Sequence, residues 1–286
     1  MGINRLSFLK NNSPRKYPDP ETKPATLKTL PSFTSGPIVN FAYGNGKLVA
    51  IAGTSSPYQL LISEDGDNWQ VTDFPSVTIP WTGLFFANGM FIIFGGAGYP
   101  FLGYSFDGVN WNYYNTSVCS IATYGNDKFV GILNATSTKL RTSNDGINWA
   151  QTASFLDSVS NHEFIDITYG YHESHGHIFM AIGIPTNNIS SPLYLFYSNG
   201  GEVWQKIDMP VAFNLNMRYP AQRPLSIVYG NNKFVAITWN NILYSENGID
   251  WVKTEKPFPT GTMVKIVYFN NKFYIFVTTD GSAPDY

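Results

Sequence analysis

The chain has 286 residues, of which 43% are hydrophobic, 16% aromatic and only 13% charged, with a formal net charge of −2. This balance supports a substantial buried core and argues against nucleic acid as a partner, because phosphate binding needs clustered Lys and Arg. A single cysteine, Cys119, excludes an internal disulfide and a Cys-rich metal site, and no run approaches the ~18 apolar residues of a membrane span, so no membrane insertion is expected.

Residues 1–24 read as an extended N-terminal arm. Pro14, Pro18, Pro20 and Pro24 punctuate it, and Arg5, Lys10, Arg15, Lys16 and Lys23 against Asp19 and Glu21 give it a charge of +3. The remaining 13 basic and 18 acidic residues leave −5 for the rest of the chain. Such an arm suits docking on a larger assembly; the plainer alternative is a loosely packed tail. It carries no apolar signal region, which predicts a protein that stays where it is made or leaves by lysis or a dedicated machine.

Six repeats follow. Each starts with an apolar run ending in an aromatic and a turn: Ile38–Tyr43 then Gly44-Asn45-Gly46-Lys47, Phe86-Ala87-Asn88-Gly89, Ile121–Tyr124 then Gly125-Asn126-Asp127-Lys128, a longer Tyr169-Gly170-Tyr171 version, Leu225–Tyr229 then Gly230-Asn231-Asn232-Lys233, and Val264–Tyr268 then Phe269-Asn270-Asn271-Lys272. Asn and Gly are expected to supply the positive φ of tight hairpins. A second β run follows each turn, then a variable loop, a third strand ending in Ser, a turn, and a fourth strand at a Trp. The closing phrase occurs five times, as Ser63…Asp65-Gly66…Trp69, Ser105…Asp107-Gly108…Trp111, Ser143…Asp145-Gly146…Trp149, Ser198…Gly200-Gly201…Trp204 and Ser245…Asn247-Gly248…Trp251. Its Trp-to-Trp intervals of 42, 38, 55 and 47 residues mark a repeat architecture. The predicted fold is all-β: a six-bladed β-propeller over residues 25–286, built of four-stranded antiparallel blades. The last repeat lacks room for its outer strands, so N-terminal strands are expected to complete it. Residues 25–31 (Ala-Thr-Leu-Lys-Thr-Leu-Pro) would be the outer strand and Asn4–Leu9 the third.

The repeated phrase resembles the Asp-box of sialidases and related BNR-repeat propellers, one residue shorter because Gly follows Asp directly. With the Tyr-Gly-Asn-x-Lys-Phe turn before it, this form is similar to propeller repeats of bacteriophage tail and virion proteins and of some bacterial surface proteins. The resemblance covers residues 36–280. It implies a virion protein without cofactor, a phage tail or head appendage whose arm meets other virion proteins and whose loops meet host-surface glycans. The alternative is a free carbohydrate-binding lectin or a glycan-processing enzyme of sialidase-like fold, extracellular or at a cell surface. The box residues themselves read as scaffold: Asp caps backbone N–H groups, Gly takes the left-handed position and Trp packs between blades.

No catalytic constellation assembles from the sequence. The sialidase Arg-Ile-Pro motif is absent from the first repeat, where Pro37-Ile-Val-Asn-Phe41 stands, and beyond the arm only Arg141, Arg218 and Arg223 exist. Asp157, Glu163 and Asp166 fall near one blade, with no facing carboxylate for glycoside hydrolysis. His172, His175 and His177 have the composition of a metal cluster, but one hairpin is not expected to gather all three, so no metal is assigned. Loops opposite the boxes are the expected working face. The longest, Met209–Pro224, holds Asn216, Arg218, Tyr219 and Arg223, where guanidinium forks suit carboxylate, phosphate or acidic-sugar recognition. Tyr58, Tyr99, Phe101, Trp239 and Trp81 are candidate aromatic platforms for sugar rings. Three positions before each turn aromatic stand Asn40, Gly83, Ile121, Asp166, Ser226 and Lys265, a column expected to line a central channel, in which Asp166 and Lys265 are placed to pair.

Overall fold

A computed structural model describes residues 6–8, 38–53, 58–73, 81–95, 101–114, 119–133, 140–151, 154–155, 162–185, 194–208, 224–238, 241–256, 261–269 and 271–278. They contain strands and turns and no helix. The chain divides into two compact units, one of residues 1–8, 94–102 and 114–286, the other of residues 9–93 and 103–113.

Among the described residues six sheets follow in chain order, and five of them contain a four-stranded antiparallel meander. Sheet one is β2 (Ile38–Gly44), β3 (Lys47–Ala52), β4 (Gln59–Ser63) and β5 (Trp69–Asp73). Sheet two is β6 (Trp81–Ala87), β7 (Met90–Gly95), β8 (Leu102–Ser105) and β9 (Asn112–Tyr114). Sheet three is β10 (Ile121–Gly125), β11 (Lys128–Ile132), β12 (Leu140–Ser143) and β13 (Ala150–Gln151). Sheet four has β15 (His162–His172), β16 (Gly176–Pro185), β17 (Tyr194–Ser198) and β18 (Val203–Asp208), with an added fifth strand, β14 (Ser154–Phe155), running parallel to β18. That strand, unforeseen in the sequence, pairs with an edge that would otherwise present open N–H and C=O groups. Sheet five is β19 (Pro224–Gly230), β20 (Lys233–Thr238), β21 (Asn241–Ser245) and β22 (Val252–Glu255). The last sheet joins β23 (Thr262–Phe269) and β24 (Lys272–Thr278) to β1 (Leu6–Phe8), with Leu6 opposite Phe276 and Phe8 opposite Tyr274. An N-terminal strand thus occupies the third position of the last sheet. The expected outer strand, 25–31, lies outside the described residues.

The second strands are the cores of the sheets, because their side chains are covered on both faces. β7 is buried at every position, and Phe91, Phe129, Phe179 and Phe234 recur at equivalent places. In the larger unit, Trp204 packs with Val130 and Ile132 of sheet three and with Phe179 of its own sheet, while Trp251 packs with Ile178 and Met180 of sheet four. These two box tryptophans therefore fill the space between successive sheets.

The hairpin turns correct one expectation about the Tyr-Gly-Asn units. Positive φ falls on Asn45 and Gly46 (48° and 75°), Asn126 and Asp127 (47° and 56°), and Asn231 and Asn232 (47° and 57°), the pattern of two-residue turns with two left-handed positions. The Gly after the aromatic is not among the positive-φ residues. It is required for a different reason: a Cβ on Gly44 would lie 2.0 Å from the Phe86 ring, on Gly125 2.2 Å from Tyr169, on Gly170 2.4 Å from Tyr229, and on Gly230 2.1 Å from Tyr268. Each glycine is a seat for the turn aromatic of the next sheet.

The box closes its turn with side chains. In the first copy the Ser63 hydroxyl accepts from Gly66 N at 2.8 Å, Asp65 Oδ1 accepts from Asp67 N and Asn68 N at 2.8 and 2.7 Å, Asp65 Oδ2 accepts from Asn68 Nδ2 at 2.7 Å, and Trp69 Nε1 donates to Gly66 O at 3.1 Å. The copies at Asp107 and Asp145 repeat the set. The fifth copy exchanges the two polar partners: Asn247 Oδ1 accepts from Ile249 N and Asp250 N, and Asn247 Nδ2 donates to Asp250 Oδ2. Turns and boxes share one side of the second unit, where the Asn45 amide donates to Gly89 O at 3.1 Å and Phe106 O at 2.8 Å.

Two outcomes follow from these contacts. Gly125→Ala forces a methyl into an aromatic ring and should lower unfolding free energy by about 1–3 kcal/mol. Gly46→Ala meets nothing within 4 Å and should cost about 1 kcal/mol from its φ alone, as read by urea denaturation. The box carboxyls also impose an acid limit. Hydrogen bonds from Asn68, backbone first, hold Asp65 low, and those from Asn110 do the same for Asp107. For Asp145, partial burial opposes the shift, yet bonds from Asn148, Ile147 and Ser143 bring it down to about 2. A carboxyl lower in the folded than the unfolded state stabilises fully above about pH 4 and loses that contribution as pH falls to its folded value. Melting temperature should fall between about pH 4 and pH 2, and the triple variant Asp65→Asn/Asp107→Asn/Asp145→Asn should flatten that limb.

Candidate functional site

The first strands of sheets one, four, five and six each carry a β-bulge at the same place. The register shifts between Ile38 and Asn40, Phe164 and Asp166, Pro224 and Ser226, and Met263 and Lys265. The polar column therefore stands immediately after an extra residue, a device that re-aims a side chain. The local bonding matches: Asn40 Oδ1 accepts from Phe41 N at 2.9 Å, and Asp166 Oδ1 accepts from Ile167 N at 3.0 Å.

In the larger unit three members of the column meet. Asp166 is 5% exposed, and its Oδ2 accepts from the Ser226 hydroxyl at 2.8 Å and from Ile227 N at 3.0 Å. Lys265 Nζ lies 3.4 Å from the same oxygen, with 55% of its side chain exposed. One carboxylate thus ties β15, β19 and β23 together. Thr168, one step along, adds a bond of the same kind, its Oγ1 accepting from Tyr229 N at 3.2 Å. Both oxygens of Asp166 are engaged by donors, which leaves it a strut rather than a base or nucleophile. The Lys265 ammonium has three donors, and its exposure turns it toward solvent and any anionic ligand there.

The other candidates are distributed as follows. Asn40 is half-buried on β2 of the second unit, Gly83 is on β6 and Ile121 starts β10. Asn216, Arg218, Tyr219, Arg223, Tyr99 and Trp239 lie outside the described residues. Tyr58 and Trp81 are 4% and 5% exposed, so neither offers a face to a sugar. Trp81 instead packs beside Tyr113, with centroids 6.5 Å apart. Phe101 is half-buried, its carbonyl taking a bond from Gly95 N at 3.0 Å. Of the three histidines at the tip of the sheet-four hairpin, His172 and His175 come together and His177 turns away to bond Tyr169. Cys119 is buried, and burial pushes its thiol well above the ordinary range. Among the described residues, no group of three or more His, Cys, Asp or Glu side chains is arranged to hold a metal ion.

No family model and no curated protein sequence matches the chain. Solved structures do. Virginiamycin B lyase from Staphylococcus aureus superposes with a TM-score of 0.61 at 12% identity, over 84% of this chain and 77% of that one. PorZ, a bacterial surface component of the type-IX secretion system of Porphyromonas gingivalis, gives 0.55 at 12% identity, over 88% of this chain and 41% of that one. The computationally designed Ika8 protein gives 0.50 at 7% identity, over 84% and 71%. The chain has a β-propeller fold. Likeness at this level of identity concerns the fold and carries no activity with it.

Removing the strut should be costly. Asp166→Ala leaves the Ser226 hydroxyl and the Ile227 N–H buried without an acceptor and should lower stability by about 2–4 kcal/mol. Lys265→Met removes a half-exposed partner and should cost at most about 1 kcal/mol; chemical denaturation of both variants separates a strut from a surface pair.

Proposed function

We propose that the chain is a non-enzymatic, virion-associated propeller protein, a phage tail or head appendage that meets host-surface glycans through its loops. The observation that carries the non-enzymatic part is the use made of its carboxylates. Asp65, Asp107 and Asp145 spend their oxygens closing turns, and Asp166 has Oδ1 on the N–H of Ile167 in its own strand and Oδ2 on donors from two other strands. Acid–base or nucleophilic work needs a carboxylate with an oxygen facing substrate, and these four present none. The virion part rests on the similarity of the repeated box and its Tyr-Gly-Asn turn to propeller repeats of tail and virion proteins. Glycan contact rests on Asn216, Arg218, Tyr219 and Arg223 in the longest inserted loop, with Tyr99 and Trp239 as stacking rings. In the larger unit Lys265 is assigned to a polar lining, held there by the buried Asp166 and Ser226, and Asn40 is assigned to the corresponding position of the second unit. The basic arm is assigned to docking on neighbouring virion proteins.

The test has two arms. Mass spectrometry and immunogold microscopy of purified phage particles should find the protein at fixed stoichiometry, reduced when Arg15, Lys16 and Lys23 are replaced by Glu. On a glycan array the purified protein should bind acidic glycans without cleaving them, with binding at least about tenfold weaker in Arg218→Ala/Arg223→Ala. Absence from particles overturns the virion assignment, and release of sugar product overturns the non-enzymatic one.

A further inference from the structure

The hairpin between β15 and β16 departs from the repeat, and its departure places two imidazoles together. The turns of sheets one, three and five contain two residues; here the turn is Glu173-Ser174-His175, between His172 and Gly176. His175 N donates to His172 O at 3.2 Å and closes it. His172 Nδ1 accepts from Ser174 N at 3.2 Å and lies 3.0 Å from His175 Nδ1. The contact from Ser174 marks His172 Nδ1 as the lone-pair nitrogen, which puts the proton between the two rings on His175 Nδ1.

A second irregularity of the same sheet braces this turn. Its box has Gly200 where the others have Asp or Asn, and the preceding Asn199 reaches back instead, its Nδ2 donating to His175 O at 2.9 Å and His177 O at 2.8 Å. His177 is held apart by its bond to Tyr169 and by stacking on that ring at 16°. The fold asks for none of this, since the turns of sheets one, three and five are shorter and the four other boxes keep their Asp or Asn. Acidic groups stand nearby. Glu173 is exposed in the turn, and Glu246 on the next sheet is bound to Lys233.

We propose that His172 and His175 chelate a late first-row divalent transition metal, Cu²⁺ or Ni²⁺, through their two Nδ1 atoms, with water completing the coordination. With metal–nitrogen bonds of about 2.0–2.1 Å, a 3.0 Å separation subtends about 90–97°. That angle suits the square-planar or tetragonal geometry of Cu²⁺ and Ni²⁺ better than the tetrahedral angle of Zn²⁺, and the affinity order for imidazole sites also favours Cu²⁺. The cation takes the place of the proton between the rings, His175 shifting that proton to Nε2, and the longer contact from Ser174 N gives way.

Calorimetric titration of the full chain with CuCl₂ and with NiCl₂ should show one site, tighter for Cu²⁺, and the Cu²⁺ EPR spectrum should carry coupling to two nitrogens. His172→Ala and His175→Ala should each weaken Cu²⁺ binding at least about tenfold, while His177→Ala leaves it within about twofold. Circular dichroism of each variant checks that the sheets persist, and the spectrum of the wild-type complex stands even where a variant fails to fold. Wild-type binding no tighter than that of His172→Ala/His175→Ala overturns the assignment, as does an equal loss in His177→Ala.

Discussion

Everything else in this chain depends on how one sheet is seated on the next, and the recurring contact is an aromatic ring lying on a bare glycine backbone. Gly44, Gly125, Gly170 and Gly230 each receive the turn aromatic of the following sheet, with no room for even a methyl group. A ring on a peptide plane buries a large apolar area at one well-defined separation, and it does so at the turn end of the first strand, next to the box. Trp204 and Trp251 fill the same gap further out, between second strands of neighbouring sheets. Seat and wedge together fix the spacing, and the polar column can then be placed by the bulges without carrying the packing.

The boxes make those seats durable by leaving little of the turn to water. Ser, Asp and Asn side chains take the N–H groups that a sharp turn cannot pair with its own backbone, and Gly supplies the positive φ at 76–79° in all five copies. The fifth copy shows that the carboxylate and the amide can trade places, since Asn247 takes the two backbone N–H groups and donates to Asp250. The fourth copy shows the opposite case: without the carboxylate the Ser198–Gly201 and Trp204–Gly201 bonds survive, and the side chain of Asn199 is put to another use.

Much of the fold was legible because its elements are local. Turn pairs such as Asn231-Asn232, the second-strand Phe residues and the spacing of the boxes announce strands, hairpins and their order, and the short last repeat points to a strand from the N-terminus. What the sequence concealed lies in contacts between repeats. The glycine of Tyr-Gly-Asn looks like a turn residue because it adjoins one, and only the neighbouring ring reveals its steric role. The bulges before Asp166, Ser226 and Lys265 leave no composition signal, although the spacing from the turn aromatic does align the three. Tyr58 and Trp81 looked like surface platforms from their loop positions, yet burial of a large aromatic is favoured wherever a neighbour can cover it. The two-plus-one division of the histidines depends on a three-residue turn whose length no propensity dictates.

The most direct test of the seating claim is a double-mutant cycle between Gly230 and Tyr268. If the glycine is required only because the ring lies on it, Gly230→Ala should destabilise the wild-type chain but cost little in a Tyr268→Ala background, a coupling of about 1–3 kcal/mol. Additive effects, within about 0.3–0.5 kcal/mol, would mean that the glycine serves its own backbone, and the account of how the sheets are held together would be contradicted.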